Sequence, residues 1–507
     1  MTAWWRARSF RLPRWVPFAL LLVAIEVSYL FIITAGTFTT WSTWNTNYDL
    51  IAEGFRSGHL YIPTPPPPEL LAKANPFDWS NSNFWFLDAS LYKGHYYLYW
   101  GPLPALVLVA VKTVLRIKDV IGDQYVTFAS YTLILIAGAL LISRMTRRLF
   151  PQLPAGLALL ATVAFAYVTP NPFMLATPGI YEAAIAAAQS LLLLGLVPAF
   201  DVVWAASEAP PARARLLLAG GCWAAAIACR VSAVLPAGAF VVLTALCSST
   251  PRQRPWRRTA ASACWLGGPV ALTLGLLAVY NKVRFDSWFE VGIKYQLNVF
   301  PFVTSRVYLP LNIFSYLFRP VGMACRFPFL SALYDIGARG FPHGLQFPPG
   351  YSTHEPQAGL FVTAPWTWLN LVTAWFVVRG LVRWQRSPQR TSVLEGPLRA
   401  HAWCLASFAM LTFLMPLVFV SAFDTTMRYM GDFSAGAVLL ATWGAWSLVD
   451  AVGGRWSRRG VIALLILLAC ATLVSGFLLG FQGYDEMFKQ HNNVLYESLR
   501  RKLSFCR

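Results

Sequence analysis

The chain has 507 residues, 57% of them hydrophobic and only 12% charged, with a mean hydropathy of +0.51. A soluble domain carries about twice that share of charge, so the composition excludes a soluble protein in favour of one whose surface faces lipid. A net charge of +19 would suggest nucleic acid in a soluble protein. Here the Arg residues stand in short clusters at the ends of apolar runs, with no basic stripe and interleaved aromatics outside them, which excludes that partner.

The first apolar run, 16–37, follows Arg6, Arg8, Arg11 and Arg14. It is longer than the ~7–15-residue core of a signal peptide, and no small-residue cleavage site follows, so it reads as an uncleaved span. Further runs lie at 125–143, 154–170, 183–204, 214–229, 231–248, 262–282, 359–381, 400–421, 432–451 and 461–482. The expected fold is an all-α polytopic membrane protein crossing the bilayer about eleven times. One bundle fills 1–482, and 483–507 forms an outer tail. Between alternate runs stand Arg144, Arg147 and Arg148; Arg213 and Arg215; Arg252, Arg254, Arg257 and Arg258; Arg383, Arg386 and Arg390; and Arg455, Arg458 and Arg459. All fall on the side of the N-terminus, which the positive-inside rule makes cytoplasmic.

The stretch 98–116 tests that parity, because as a span it would move every later cluster outside. Pro102 and Pro104 interrupt it and Lys112 sits in its second half, so it is predicted to lie along the outer surface as an interfacial helix. The alternative is a true span with a re-entrant neighbour. The outer segments are then 38–124, 171–182, 283–358, 422–431 and the tail. The inner loops are short and basic, so function is expected outside. Of eight cysteines only Cys325 and Cys506 fall in outer segments. They can form a disulfide in an oxidising compartment, although the spacing does not demand it. No CxxC or His/Cys cluster suggests zinc.

Acidic residues number only 22, so their positions are informative. In NTNYDLIAEGFRSGHLY, Asp49 and Glu53 are spaced to share one helix face; a solvated face would use the same spacing. In FWFLDASLYKGHYYLYWGP, Asp88, Lys93 and His95 lie among aromatic rings. That setting suits a sugar, which stacks on rings and hydrogen-bonds to carboxylates; an aromatic interface belt would look similar. TPGIYEAA puts Tyr181 and Glu182 where a span begins, and a helix N-terminus favours a carboxylate there in any case. Arg230 stands between two short runs, placed either to snorkel to head groups or to bind a phosphate. RFDSWFEVGIKYQL adds Arg284, Asp286, Glu290 and Lys294, and FDTTMRYMGDF adds Arg428 and Asp432. Glu26, near the middle of the first span, is the one clear acid at mid-membrane.

One span, a large outer loop with acids and surface helices, then a bundle: this layout resembles the GT-C superfamily of membrane glycosyltransferases, near the protein O-mannosyltransferases and the bacterial aminoarabinose transferase of lipid A. NTNYDLIAEGFRSGHLY is similar to the family's first-loop opening, and GHYYLYWGPLPALVL to the segment where that loop returns to the membrane. The family often carries an acidic pair just before the Tyr, where this chain has Asn45, Thr46 and Asn47. Asp49 or Asp88 then takes that role, or the chain is inactive or differently specialised. The resemblance implies transfer of a sugar from a polyprenyl-phosphate donor to a lipid, glycan or protein acceptor. The transfer would occur on the periplasmic side of a bacterial inner membrane, with the N-terminus cytoplasmic and the C-terminus periplasmic. A carboxylate among Asp49, Asp88 and Glu182 would serve catalysis. Lys93, His95, Arg230, Arg428 and Tyr181 would bind the donor phosphate or substrate. No metal or other cofactor is expected. A glycan ligase or polymerase shares these features, whereas a transporter would place more ionisable groups within the spans.

Overall fold

A computed structural model describes residues 13, 15–42, 45–206, 212–248, 255–298, 303–334, 355–386, 397–417 and 419–506, with scattered positions between 336 and 351. Arg6, Arg8, Arg11, Arg14, Arg252, Arg254 and Arg390 lie outside the described residues.

Each apolar run becomes helix. In chain order the main elements are α1 (Val16–Ile33), α2 (Asn47–Arg56), the hairpin β1 (Ser90–Tyr92) and β2 (His95–Tyr97), α3 (Leu103–Leu115), α4 (Asp123–Leu149), α5 (Gly156–Ala166) and α6 (Ile180–Ala205). There follow α7 (Arg213–Cys229), α8 (Val234–Cys247), α9 (Pro255–Phe285), the hairpin β3 (Val321–Met323) and β4 (Leu330–Ala332), α10 (Leu369–Arg386), α11 (Pro397–Phe413), α12 (Ser434–Ala451), α13 (Arg455–Leu479) and α14 (Asn493–Leu503). Helix ends follow dipole logic: α4 opens on Asp123 and closes on Arg147 and Arg148.

Among the described residues, six helices are long and apolar enough to cross a membrane, fewer than the eleven runs. Three of the five missing runs are cut short by breaks in the backbone. The run 154–170 is helical for only 11 residues and then breaks at Thr169–Pro170, and α7 and α8 are separated by an extended Arg230. Such irregular backbone is tolerated at membrane depth where protein buries it, and Val168, Phe173 and Met174 beyond α5 are fully buried.

The helices alternate in direction, as two sets of contacts establish. At one end Asp201 of α6 accepts from Arg144 and Arg148 of α4 at 3.2 and 2.7 Å. There too the Trp446 indole donates to Thr146, and Arg399 donates to the carbonyl of Cys247. At the other end Tyr167, just past α5, meets Ser28 of α1 and the backbone of Gly476, where any Cβ would lie 1.9 Å from the Tyr167 carbonyl oxygen. Glu26 in α1 accepts from the Thr132 hydroxyl at 3.0 Å.

The stretch 98–116 is not one helix. Residues 98–102 are non-helical, and α3 spans 13 residues, about 20 Å against ~30 Å of hydrocarbon. One face docks on α2 through Lys112, which is 1% exposed and pairs with Asp49 at 2.7 Å and Glu53 at 2.8 Å. Leu106, Val107, Val114 and Leu115 remain exposed, as an interfacial helix requires. A disulfide joins Cys325 to Cys506 across 181 residues, tying the β3–β4 hairpin to the tail.

Lys112→Met should cost about 3–5 kcal/mol, because it leaves Asp49 buried without its cation. Thermal unfolding in detergent measures this, and adding Asp49→Leu should restore most of the loss.

Candidate functional site

The site is assembled from four loops and the start of the tail, at the helix end opposite the Arg144–Asp201 cluster. Asp88 comes first. It precedes β1 with φ +66, a left-handed conformation that Asp accepts more readily than most residues. Its N–H donates to the carbonyl of Leu297 at 2.9 Å, and the Leu297 N–H donates back to Ala89 at 2.8 Å. The Ser90 hydroxyl adds a bond to the Gly292 carbonyl. The third outer loop therefore pairs alongside the β1–β2 hairpin and fixes the Asp88 backbone.

Tyr181 and Glu182 open α6. Glu182 is 3% exposed and accepts the Gly179 N–H in a capping box, which ties it to the helix start. Tyr181 donates its hydroxyl to Asp88 Oδ1 at 2.7 Å, and Gln296 Nε2 reaches the same oxygen at 3.2 Å. Arg428 stands on a short turn of helix, Met427–Asp432. Its guanidinium lies over the Tyr181 ring at 4.0 Å, and its Nη2 is 2.5 Å from Glu355 Oε1. The Arg428 backbone N–H donates to the Tyr484 hydroxyl at 3.1 Å. Glu355 is positioned by its neighbour Gln357, whose backbone pairs with Leu333 beyond β4.

These groups line a cavity of about 400 Å³, together with Asp424, Tyr334, Tyr429 and Asn45. Burial raises the Asp88 carboxyl above its ordinary range, against the lowering effects of the Tyr181 hydrogen bond and the Arg428 charge. Burial also pushes Asp424 up to about 7, with the nearby Glu355 charge acting in the same direction. Among the described residues no three His, Cys, Asp or Glu side chains lie close enough to share a metal ion.

Of the residues singled out in the sequence, Asp88, Tyr181, Glu182 and Arg428 meet here. Asp49 does not: it is 2% exposed, bonded to Lys112 and to the Ile121 N–H, and holds α2 on α3. Lys93 sits on the exposed hairpin turn and pairs with Asp286 at 2.6 Å. His95 stacks on Tyr61 with ring centroids 4.0 Å apart. Arg230 is committed to the fully buried Asp432 at 2.5 Å and packs on the Phe419 ring. Glu355 and Asp424 went unnoticed in the sequence. Asp424 shares a segment with Arg428 but lies in a loop without periodicity, and nothing near Glu355 marks its facing.

No family model matches the chain, and no curated protein does. Among solved structures, the Archaeoglobus fulgidus oligosaccharyltransferase AglB, in complex with an inhibitory peptide and a dolichol-phosphate, is similar at 14% identity and a TM-score of 0.44. The match covers 91% of this chain and 55% of that one, so this chain spans a little over half its length. The Saccharomyces cerevisiae protein O-mannosyltransferase Pmt1-Pmt2 complex, bound to its sugar donor, is similar at 11% identity and a TM-score of 0.45. That match covers 94% of this chain and 92% of the other. Both, by their names, transfer sugars.

The raised Asp424 carboxyl implies a pH-dependent stability. Below its ordinary value of 3.8 the group is neutral whether folded or unfolded. As pH rises towards about 7 the unfolded chain ionises first, so stability falls, and above that the deficit is constant. Asp424→Asn should therefore unfold at a higher temperature than the native chain near about pH 8, and at nearly the same temperature near about pH 4.

Proposed function

We propose that this chain is a membrane glycosyltransferase. In this reading it moves a sugar from a polyprenyl-phosphate donor to a hydroxyl-bearing acceptor on the outer face of the membrane. The observation that carries the reading is the pairing of Asp88, aimed by Tyr181 and Gln296, with Arg428 in one cavity at the mouths of the helices. There a donor head group enters the cavity while its hydrocarbon chain stays in the bilayer.

In the reaction the acceptor oxygen attacks the anomeric carbon as the bond from that carbon to the phosphate oxygen breaks. The electron pair leaves with the phosphate, whose negative charge Arg428 offsets. The hydroxyl proton passes to Asp88. Tyr181 and Gln296 hold one of its oxygens, and a raised pKa suits a general base. A phosphate leaves readily without a protonating acid, so a second carboxyl in that role is not required. Tyr334, Tyr429 and Tyr484 stand in the cavity wall, where a bound sugar would meet them.

Two features support an outer-face reading. A disulfide persists in an oxidising compartment, and Cys325–Cys506 lies on the hairpin and tail that flank the cavity. The opposite end carries Arg144 and Arg148, as a cytoplasmic face does. The chain is accordingly read as a multi-pass protein of a bacterial inner membrane, with a cytoplasmic N-terminus and a periplasmic C-terminus. Lipid, glycan and protein acceptors all fit this chemistry.

The test is transfer from polyprenyl-phosphate sugars by the purified chain. Asp88→Asn should lower the rate by about 10²–10⁴-fold, the range for loss of a general base. Asp49→Asn should stay near native activity at temperatures where the fold holds. Full activity in Asp88→Asn would remove the mechanism.

A further inference from the structure

The cavity is acid-rich in a basic chain. Asp88, Glu182, Glu355 and Asp424 line it against one cation, Arg428, among its described walls. A lipid-phosphate donor brings another anion into this setting, yet Arg428 already has a carboxylate partner. Its Nη2 meets Glu355 Oε1 at 2.5 Å, while the other Glu355 oxygen accepts the Thr426 hydroxyl. Thr426 in turn bonds the Tyr484 hydroxyl at 2.8 Å. The Tyr181 ring beneath the guanidinium limits its movement to a slide in plane. The buried Arg428 Nε has no hydrogen-bond partner, so the planar fork is only partly used. Carboxylate and phosphate compete for such a fork through the same paired N–H donors.

We propose that Glu355 is a placeholder for the donor's phosphate. It holds Arg428 against Tyr181 until the donor arrives and then yields the guanidinium to the phosphate. This rests on the donor reading above and adds a selectivity residue to it. Glu355 is a positioning residue, because it acts through Arg428 and not on the reacting atoms. Its carboxylate sets a threshold: an anion enters only if it pairs with Arg428 better than a preorganised carboxylate does. The donor's phosphodiester offers two non-bridging oxygens, which match the paired N–H donors of the fork, and the sugar-free monoester left after transfer offers three. Once the phosphate has lost its sugar, the returning Glu355 helps to expel it.

The experiment titrates the purified full-length chain in detergent with polyprenyl phosphate that carries no sugar. Glu355→Gln should tighten binding about tenfold, equivalent to about 1.4 kcal/mol. Thr426→Val leaves every charge in place but loosens Glu355, and should tighten binding by a smaller factor. Arg428→Gln should weaken binding, and adding Glu355→Gln to it should give no gain, since the two effects share one contact. In turnover, Glu355→Gln should lower the donor KM and slow kcat through retained product. Thermal unfolding checks each fold, and if Glu355→Gln does not fold, Thr426→Val decides. Unchanged or weaker binding in both variants overturns the placeholder and leaves the transferase reading standing. Absence of polyprenyl-phosphate binding in the native chain and every variant removes both.

Discussion

Hydrocarbon tolerates almost no unpaired charge, and that single constraint sorts the side chains of this protein. A charged group at the centre of a span costs roughly 2.5–3.5 kcal/mol on insertion scales, so cations and carboxylates collect at the two helix ends. One end takes Arg144, Arg148 and Arg399. The other takes the carboxylates of the cavity and their one guanidinium. Two cations that enter protected ground go in with carboxylate partners: Lys112 with Asp49 and Glu53, Arg230 with Asp432. A buried pair of this kind adds little net stability but costs heavily if half is removed, so it locks loops to helices.

The hydrophobic runs made the helices legible, because a span announces itself within its own residues. The breaks were harder. The run 154–170 has no charged residue to mark where α5 stops after Ala166, and Tyr167, Thr169 and Pro170 at its end read equally well as the boundary of a span. For 98–116 the two prolines and Lys112 argue for a surface helix, and the structure adds a 13-residue helix whose Lys112 is buried against α2.

The site was half legible for a related reason. The spacing of Asp49 and Glu53 predicts a shared helix face, and Lys112 does bridge both. Spacing says nothing of what that face meets, and the answer lay 63 positions further along the chain. Asp88 and Tyr181 are 93 positions apart, Arg230 and Asp432 202. No single sequence shows which member of a set of scattered charges will meet which. Glu355 and Asp424 were missed because each sits in irregular chain, where neither helical nor strand periodicity assigns a direction.

The short ladder between Asp88, Ala89 and Leu297 has a mechanical consequence. The third outer loop forms part of the same backbone unit as the carboxylate, while Tyr181 belongs to a bundle helix. If that loop swings to widen the mouth of the cavity, Asp88 travels with it and leaves the Tyr181 hydroxyl behind. The position of that loop and the alignment of Asp88 with Tyr181 are therefore one coordinate.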